Sequence, residues 1–192
     1  MRDRIKEILL ESIQVKEELL RASLGLIVEM SETVIASLKK GGKLILFGNG
    51  GSASDSQHIA AELVGRFKKD RQGLPAIALT TNTSILTAVA NDYGYDLVFA
   101  KQVEALAQKN DVVVGISTSG KAKNVAAGIR QAKKMGLKTI ALTGGDGGEL
   151  SRLADVTLIV PSNITARIQE AHITIGHIVC ELVEEELSQE QK

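Results

Sequence analysis

The chain has 192 residues, of which 44% are hydrophobic, 24% are charged and 3% are aromatic, and its 23 Lys and Arg residues balance 23 Asp and Glu residues. This length suits one globular domain that buries a sizeable core without a metal or a disulfide. The zero net charge and the scarcity of aromatic rings argue against a nucleic-acid or membrane-surface binder, which needs basic residues, or rings that stack on bases.

Residues 1–40 carry apolar side chains at three- and four-residue steps, a pattern that predicts amphipathic helices. Gly25 lies within this stretch and can loosen or split it. Two interpretations stay open: ordinary helices that pack on the domain, or an apolar stripe that packs against another subunit. We favour the stripe, which predicts an oligomer.

From Gly42 onward, short aliphatic runs alternate with loops and helical stretches. Near-continuous apolar strands separated by helices indicate a parallel sheet covered on both faces. We therefore expect an α/β fold of the doubly wound type, with a five-stranded parallel sheet. The five strands are expected at Lys43–Phe47, Ala76–Thr80, Val112–Ile116, Thr139–Leu142 and Val156–Val160.

The chain is expected to be a single domain over residues 1–192, with N-terminal helices in 1–40 and the α/β core in 41–192. Its last helix, at about Ile164–Leu187, should end in a solvated acidic tail that contains Glu181, Glu184, Glu185, Glu186 and Glu190. The N-terminus is charged, unlike a signal peptide, and no apolar run approaches the roughly 20 residues of a membrane span. The single cysteine, Cys180, suits a reducing compartment, so a cytoplasmic location is predicted.

Loops rich in glycine and hydroxyl residues follow three of the strands, at Gly48–Asp55, Ser117–Gly120 and Thr143–Gly148. Ligands of open parallel sheets bind beyond the carboxyl ends of the strands. Glycines let a ligand approach the backbone, and hydroxyls together with helix N-termini bind anions. We favour a bound phosphate over loops that merely turn a strand into a helix.

The first loop formally matches the dinucleotide fingerprint GxGxxA at Gly48, Gly50 and Ala53. No acidic residue follows the second strand to hold a ribose, because Thr81 and Asn82 stand there. A hydroxyl-lined site therefore favours a sugar phosphate over a nucleotide.

The reactive side chains lie on two helical segments. His58 and Glu62 are four residues apart and project from one face, while Gln169 and His177 fall within ~80° of one another on the last helix and His172 points elsewhere. Two imidazoles, a carboxylate and an amide suit a zinc site, although Gln169 and His177 are ~12 Å apart along a straight helix. Glu62 and His177 also suit a metal-free base and acid pair. Both interpretations stay open, and the two roles can overlap.

The chain resembles the phosphoheptose isomerase family of sugar isomerase (SIS) domain proteins in five segments: GNGGSASDSQHIAAEL, LPAIALTTNTSILTAVANDYGYD, NDVVVGISTSG, IALTGGDGGEL and RIQEAHITIGHIVCELVE. The resemblance implies a SIS-type, flavodoxin-like fold and a homotetramer with active sites near subunit interfaces. It also implies conversion of sedoheptulose 7-phosphate to D-glycero-D-manno-heptose 7-phosphate, the first step towards the heptose of bacterial lipopolysaccharide or other glycans.

The resemblance further implies one zinc ion per subunit with the ligands His58, Glu62, Gln169 and His177, and Glu62 and His177 as the catalytic pair. The substrate contacts that it implies are Asn49, Gly50, Gly51, Ser52, Glu62, Asn91, Asp92, Ser117, Thr118, Ser119 and Gln169. Two positions depart from the family pattern. Many members of the family have a serine at the position of Ala122, and the charge of Lys121 can compensate for the missing hydroxyl. An acidic residue is often found at the position of Ala166.

A non-enzymatic relative, the DnaA initiator-associating protein, shares the stretch Ala166–Glu170 but lacks counterparts of Glu62 and His177. Both residues are present here, which favours the isomerase. A protein-binding scaffold of that kind and a sugar-phosphate sensor remain the alternatives.

Overall fold

Two helices begin the chain in the computed structural model, which describes residues 1–189. Helix α1 spans Arg2–Ala22 and helix α2 spans Leu24–Lys39. They meet at Ser23, so the expected interruption at Gly25 is displaced by two residues, and Gly25 is helical. A methyl group added at Gly25 would have no neighbouring group within 4 Å, so packing does not require a glycine at this position.

Five parallel strands form a single sheet with the order β2-β1-β3-β4-β5. All five strands expected from the sequence are confirmed, with ends that differ by at most two residues. Their bounds are β1 Leu44–Gly48, β2 Ala76–Ala78, β3 Val112–Ser117, β4 Lys138–Gly144 and β5 Val156–Val160. This order is that of flavodoxin-like doubly wound sheets, as predicted.

Six further helices connect or follow the strands: α3 Gly51–Val64, α4 Thr83–Tyr93, α5 Val98–Leu106, α6 Lys123–Lys134, α7 Leu150–Leu153 and α8 Thr165–Gln189. Helix α6 begins two residues later than expected, after an extended Ala122. The predicted Glu190 of the acidic tail and the last two residues of the expected domain lie outside the described residues. None of the helices within residues 1–189 has the length and apolar composition of a membrane span.

The sheet separates two apolar cores because side chains alternate between its faces. Leu44 and Leu46 of β1 face the core formed with α1, α2, α3 and α8, whereas Ile45 and Phe47 face the core formed with α5 and α6. The connections from β1 and β3 leave towards opposite edges of the sheet. The crevice of a doubly wound sheet opens where such strands are neighbours, so the carboxyl ends of β1 and β3 locate the expected site.

One expectation about the last helix is wrong. Glu184 was placed in a solvated acidic tail, but its side chain is only 1% exposed. Its neighbours Glu185 and Glu186 are exposed, as expected. Glu184 is buried because it faces the loop after α3, whose backbone N–H groups and Arg71 satisfy the carboxylate.

Candidate active site

The loop after β1 brings four expected substrate contacts together at the crevice. Gly50 has a φ of 55°, a left-handed conformation that favours glycine, and it directs the chain into α3. Asn49 is half-buried, Ser52 is buried, and Gly51 is the first residue of the helix. The backbone N–H of Ser52 donates to the carbonyl of Asn49 over 3.0 Å, which fixes the turn.

A polar cavity of about 270 Å³ lies beside the loops after β3 and β4. Ser117 is buried at the end of β3, whereas Thr118 and Ser119 reach the cavity wall. At the wall of the cavity, Lys121 Nζ lies 3.0 Å from Asp146 Oδ2. This pair lowers the pKa of Asp146, chiefly through the hydrogen bond from Lys121. The cavity is lined by Thr118, Ser119, Lys121, Gly144, Gly145, Asp146, Asn163, Thr165 and Ile168.

An amide pair connects the loops after β1 and β3. Asn49 Nδ2 donates to Asn124 Oδ1 and Asn124 Nδ2 donates to Asn49 Oδ1, both over 2.9 Å. The hydroxyl of Tyr95 also donates to Asn49 Oδ1, over 3.2 Å. Sequence analysis missed Asn124 and Tyr95, because their partner is a residue far away in the chain.

Two expected substrate contacts, Asn91 and Asp92, lie near the end of α4 and are exposed. Asn91 Nδ2 donates to Asp92 Oδ1 over 2.8 Å. Their segment continues into the 3-10 turn at Tyr95–Leu97, which reaches Asn49 through Tyr95.

Helices α3 and α8 run side by side in the same direction. At their start, a methyl group on Gly51 would lie 2.3 Å from Gln169 Nε2, so the amide rests directly on this glycine. About two turns further along, His58 meets His177. A methyl group on Gly176 would lie 2.6 Å from Ile59 Cδ1, so the absence of a side chain there allows the close approach.

This approach assembles His58, Glu62 and His177 into one cluster, whose ligand atoms all lie within 4.8 Å of one another. His58 Nε2 lies 3.0 Å from His177 Nε2 and 3.1 Å from Glu62 Oε1. The side chain of His58 is 50% exposed and that of Glu62 is 25% exposed, so the cluster is open to solvent. The ring of Phe67 covers His177, with centroids 5.5 Å apart.

The donor set of the cluster fits a divalent metal ion such as zinc. Zinc binds imidazole nitrogen and carboxylate oxygen at about 2.0–2.2 Å, which places neighbouring ligand atoms of a tetrahedral site about 3.3 Å apart. The separations of 3.0 and 3.1 Å in the cluster are close to that value. Gln169 lies at the loop end of the same helix pair, over Gly51, and its ligand role stays a prediction.

Two titratable groups on these helices have shifted pKa values: Asp55 of α3, which is half-buried, and His172 of α8. Burial raises the pKa of Asp55 to about 6, although the nearby His58 opposes the shift. Asp55 Oδ2 has no hydrogen-bond partner among the described residues. His172 is fully buried, and burial lowers its pKa to about 4 although Nε2 contacts the carbonyl of Thr143 over 3.1 Å. His172 therefore points away from the cluster, as helical geometry predicted.

The two departures from the family pattern lie at helix starts. Ala122 precedes α6 and offers no side-chain cap, so no hydroxyl stands there. Lys121 lines the cavity next to it, where its ammonium group is paired with Asp146. Ala166 is exposed in the first turn of α8.

Comparison with known proteins adds to this geometry. The family model described as SIS domain matches residues 10–144. The chain belongs to the SIS domain family. It is 55% identical over 185 residues to the phosphoheptose isomerase of Aquifex aeolicus, covering 96% of this chain and 97% of that protein. It is 58% identical to the phosphoheptose isomerase of Geobacter sulfurreducens over 174 residues, covering 91% and 92% of the two chains.

Solved structures agree. The phosphoheptose isomerase GmhA of Neisseria gonorrhoeae superposes with a TM-score of 0.91 at 44% identity, covering 96% of this chain and 98% of that chain. A phosphoheptose isomerase of Francisella tularensis gives 0.92 at 39% identity, covering 95% and 97%. The predicted SIS-type fold and the predicted family are therefore confirmed.

Proposed function

We propose that this chain is a phosphoheptose isomerase, which converts sedoheptulose 7-phosphate to D-glycero-D-manno-heptose 7-phosphate through an enediol. The observation that carries the proposal is the cluster of His58, Glu62 and His177 between α3 and α8. A carboxylate base with an imidazole partner is suited to proton abstraction next to a sugar carbonyl. Relatives named phosphoheptose isomerase, 50–62% identical to this chain, support the choice of substrate.

We assign the phosphate group to the hydroxyl-rich loops, where Ser52 and Ser117–Ser119 bind its oxygens. The polar cavity of about 270 Å³ beside Thr118 and Ser119 supports this assignment. Lys121 supplies the only formal positive charge among the residues that line this cavity. The polar body of the sugar then contacts the remaining expected residues: Asn49, Gly50, Gly51, Asn91, Asp92 and Gln169.

Glu62 is the base in this proposal. Its carboxylate takes a proton from the hydroxyl-bearing carbon beside the ketose carbonyl, and the carbonyl oxygen gains a proton, which gives the enediol. His177 transfers the proton that the neighbouring hydroxyl gives up to the former carbonyl oxygen, and a proton returned to the former carbonyl carbon, by Glu62 or by His177, completes the aldose. Glu62 Oε1 is engaged by His58, which leaves Oε2 to accept the proton.

We further propose that one zinc ion per subunit is held by His58, Glu62 and His177, with Gln169 as the fourth ligand. The fit of the donor separations supports a metal at this cluster. When bound, zinc supplies a Lewis acid that polarises a carbonyl and stabilises developing negative charge. Without it, the same imidazoles would orient the substrate through hydrogen bonds.

We also propose a homotetramer in the cytoplasm. An unpartnered apolar stripe on α1 supports the oligomer, because its side chains are more than half exposed at Ile5, Leu9, Leu10 and Ile13. The buried free thiol of Cys180 agrees with a reducing compartment. Light scattering with Leu9→Lys and Ile13→Lys variants tests the stripe, and both variants should lower the mass of the assembly.

The test of the function is turnover of sedoheptulose 7-phosphate by the purified chain, with added zinc and with a chelator. Glu62→Gln should keep the fold and lose nearly all turnover. The matched control is Glu104→Gln, which removes an exposed carboxylate paired with Lys101 on α5, on the opposite face of the sheet. The control should keep full activity. Absence of turnover under every metal condition would overturn the proposal and favour a scaffold or a sensor.

A further inference from the structure

A buried ion pair joins α3 and α8 at the end remote from the phosphate loops. Arg71 Nε donates to Glu184 Oε1 over 2.9 Å, and the two side chains are 4% and 1% exposed. Removing one partner of such a pair is costly, because the other charge is left buried and unpaired. Neither side chain is bonded to the imidazole or carboxylate groups of the cluster, and sequence analysis assigned these two residues no role in the site.

Arg71 ties this ion pair to the end of α3. Its Nη2 donates to the carbonyl of Glu62 over 3.0 Å, and its Nη1 donates to the carbonyl of Leu63 over 2.9 Å. Carbonyls in the last turn of a helix lack partners within the helix, and the guanidinium supplies them here. The backbone of the proposed base is therefore held by Arg71.

Glu184 fixes the loop that follows α3. Its carboxylate accepts the backbone N–H groups of Phe67, Lys68 and Lys69 over 2.7–3.0 Å. Burial opposes the charged form, but these bonds outweigh it and lower the pKa of Glu184. The loop in turn carries Phe67, whose ring covers His177.

The geometry points to Arg71 and Glu184 as positioning residues: through the carbonyl of Glu62 and the ring of Phe67, their ion pair sets the separation of Glu62 and His177 across the two helices. This inference rests on the proposed function. A pair of apolar side chains would fill the same volume but would satisfy neither the carbonyls of α3 nor the N–H groups of the loop. The ion pair therefore fixes the backbone of α3 and of the loop after it, which apolar packing alone would not do.

The experiment compares Glu184→Gln and Arg71→Lys with a matched control, Asp111→Asn. Asp111 is also buried and accepts backbone N–H groups of Lys43 and Gln108 as well as Lys43 Nζ. It immediately precedes β3, and its partners Lys43 and Gln108 belong neither to α3, nor to α8, nor to the loop after α3. The control therefore measures the effect of losing a buried carboxylate that is not bonded to the helices of the site.

Each variant is titrated with Co²⁺ by its visible absorption, assayed for kcat and KM, and melted. We expect Glu184→Gln and Arg71→Lys to weaken Co²⁺ binding by about 10-fold or more and to change its absorption spectrum, as residues behind metal ligands do. Their kcat should fall by a similar factor while KM stays within about threefold, because substrate contacts are retained. Asp111→Asn should lower the melting temperature but leave Co²⁺ binding and kcat within about twofold.

Wild-type Co²⁺ affinity, spectrum and kcat in both variants, whatever their melting temperatures, would overturn the inference. An equal loss in Asp111→Asn would also overturn it, by showing a general effect of stability. If Glu184→Gln does not fold, Arg71→Lys decides alone, because it keeps the charge and loses only the forked hydrogen bonds. Failure of the proposed function would appear separately, as absent turnover in the unaltered chain, and the Co²⁺ measurements would still decide the role of the pair.

Discussion

Replacing Gly51 with alanine should separate activity from stability. Gly51 is the first residue of α3, and its φ lies outside the left-handed region. Alanine there restricts the unfolded chain and should stabilise the protein by about 0.4–1 kcal/mol if its methyl group met no obstacle. The methyl group would, however, lie 2.3 Å from Gln169 Nε2 and 2.8 Å from Gln169 Cδ.

Ordinary contacts of a methyl carbon begin at 3.4 Å, so the amide must retreat by about 1 Å. Gln169 is a flexible side chain and can move at little cost to the fold. A displacement of about 1 Å in a group that positions substrate or metal can cost roughly 100-fold in rate. We therefore expect kcat/KM for sedoheptulose 7-phosphate to fall by roughly 100-fold, with an unchanged or slightly raised melting temperature.

Two controls make the reasoning refutable. Gly25→Ala places the same methyl group in α2, where no atom lies within 4 Å, and should keep full activity. In a Gln169→Ala background, Gly51→Ala should cause no further loss, because the group that it displaces is gone. Activity within about threefold of wild type in the single variant, or an undiminished loss in the double variant, would refute the account.

Three further predictions concern groups around the site. His172 should be protonated near pH 6.5 in the unfolded chain, whereas in the native protein its pKa is about 4. Between pH 7 and pH 5, the free energy of unfolding measured in urea should therefore fall by about 2 kcal/mol more for wild type than for His172→Phe. Equal losses in the two proteins would contradict this prediction. Asn124→Ala leaves the amide of Asn49 without its paired hydrogen bonds and should raise KM about tenfold; an unchanged KM in steady-state assays would show that the pair is dispensable. Lys121→Ala should raise KM several-fold at low salt and less at high salt, because salt screens the attraction of Lys121 for the phosphate. Asp146→Asn removes the partner of Lys121 and should not raise KM. An unchanged KM for Lys121→Ala at low salt would show that Lys121 does not bind the phosphate.

Much of the fold follows from local pattern. The aliphatic run at Val112–Ile116 predicts a strand buried on both faces, and the strand Val112–Ser117 is buried throughout. The loop rich in glycine and serine after it predicts the position of the crevice. The neighbours of each strand do not follow from periodicity, because pairing depends on contacts between distant residues. The flavodoxin-like type of the sheet came from the resemblance to SIS domain proteins, and the strand pairings give the order of that type.

The site divides in the same way. His58 and Glu62 share a helix face at a spacing of four residues, which any helix fixes. Their meeting with His177 depends on the close approach of α3 and α8, which requires a glycine at position 176. Glu184 was missed because it stands in a run of acidic residues, where sequence pattern favours a solvated helix end. Only the folded loop around Phe67 provides the N–H groups that make its burial favourable.

The most direct test of the central claim follows the isomerisation of sedoheptulose 7-phosphate by proton NMR in D₂O. Glu62 is 25% exposed, so a proton that it has taken should exchange with solvent before it returns. The account predicts an aldose anomeric signal and deuterium at the carbon beside the carbonyl, both absent with Glu62→Gln. Full conversion without any deuterium, or undiminished conversion by Glu62→Gln, would contradict proton abstraction by Glu62.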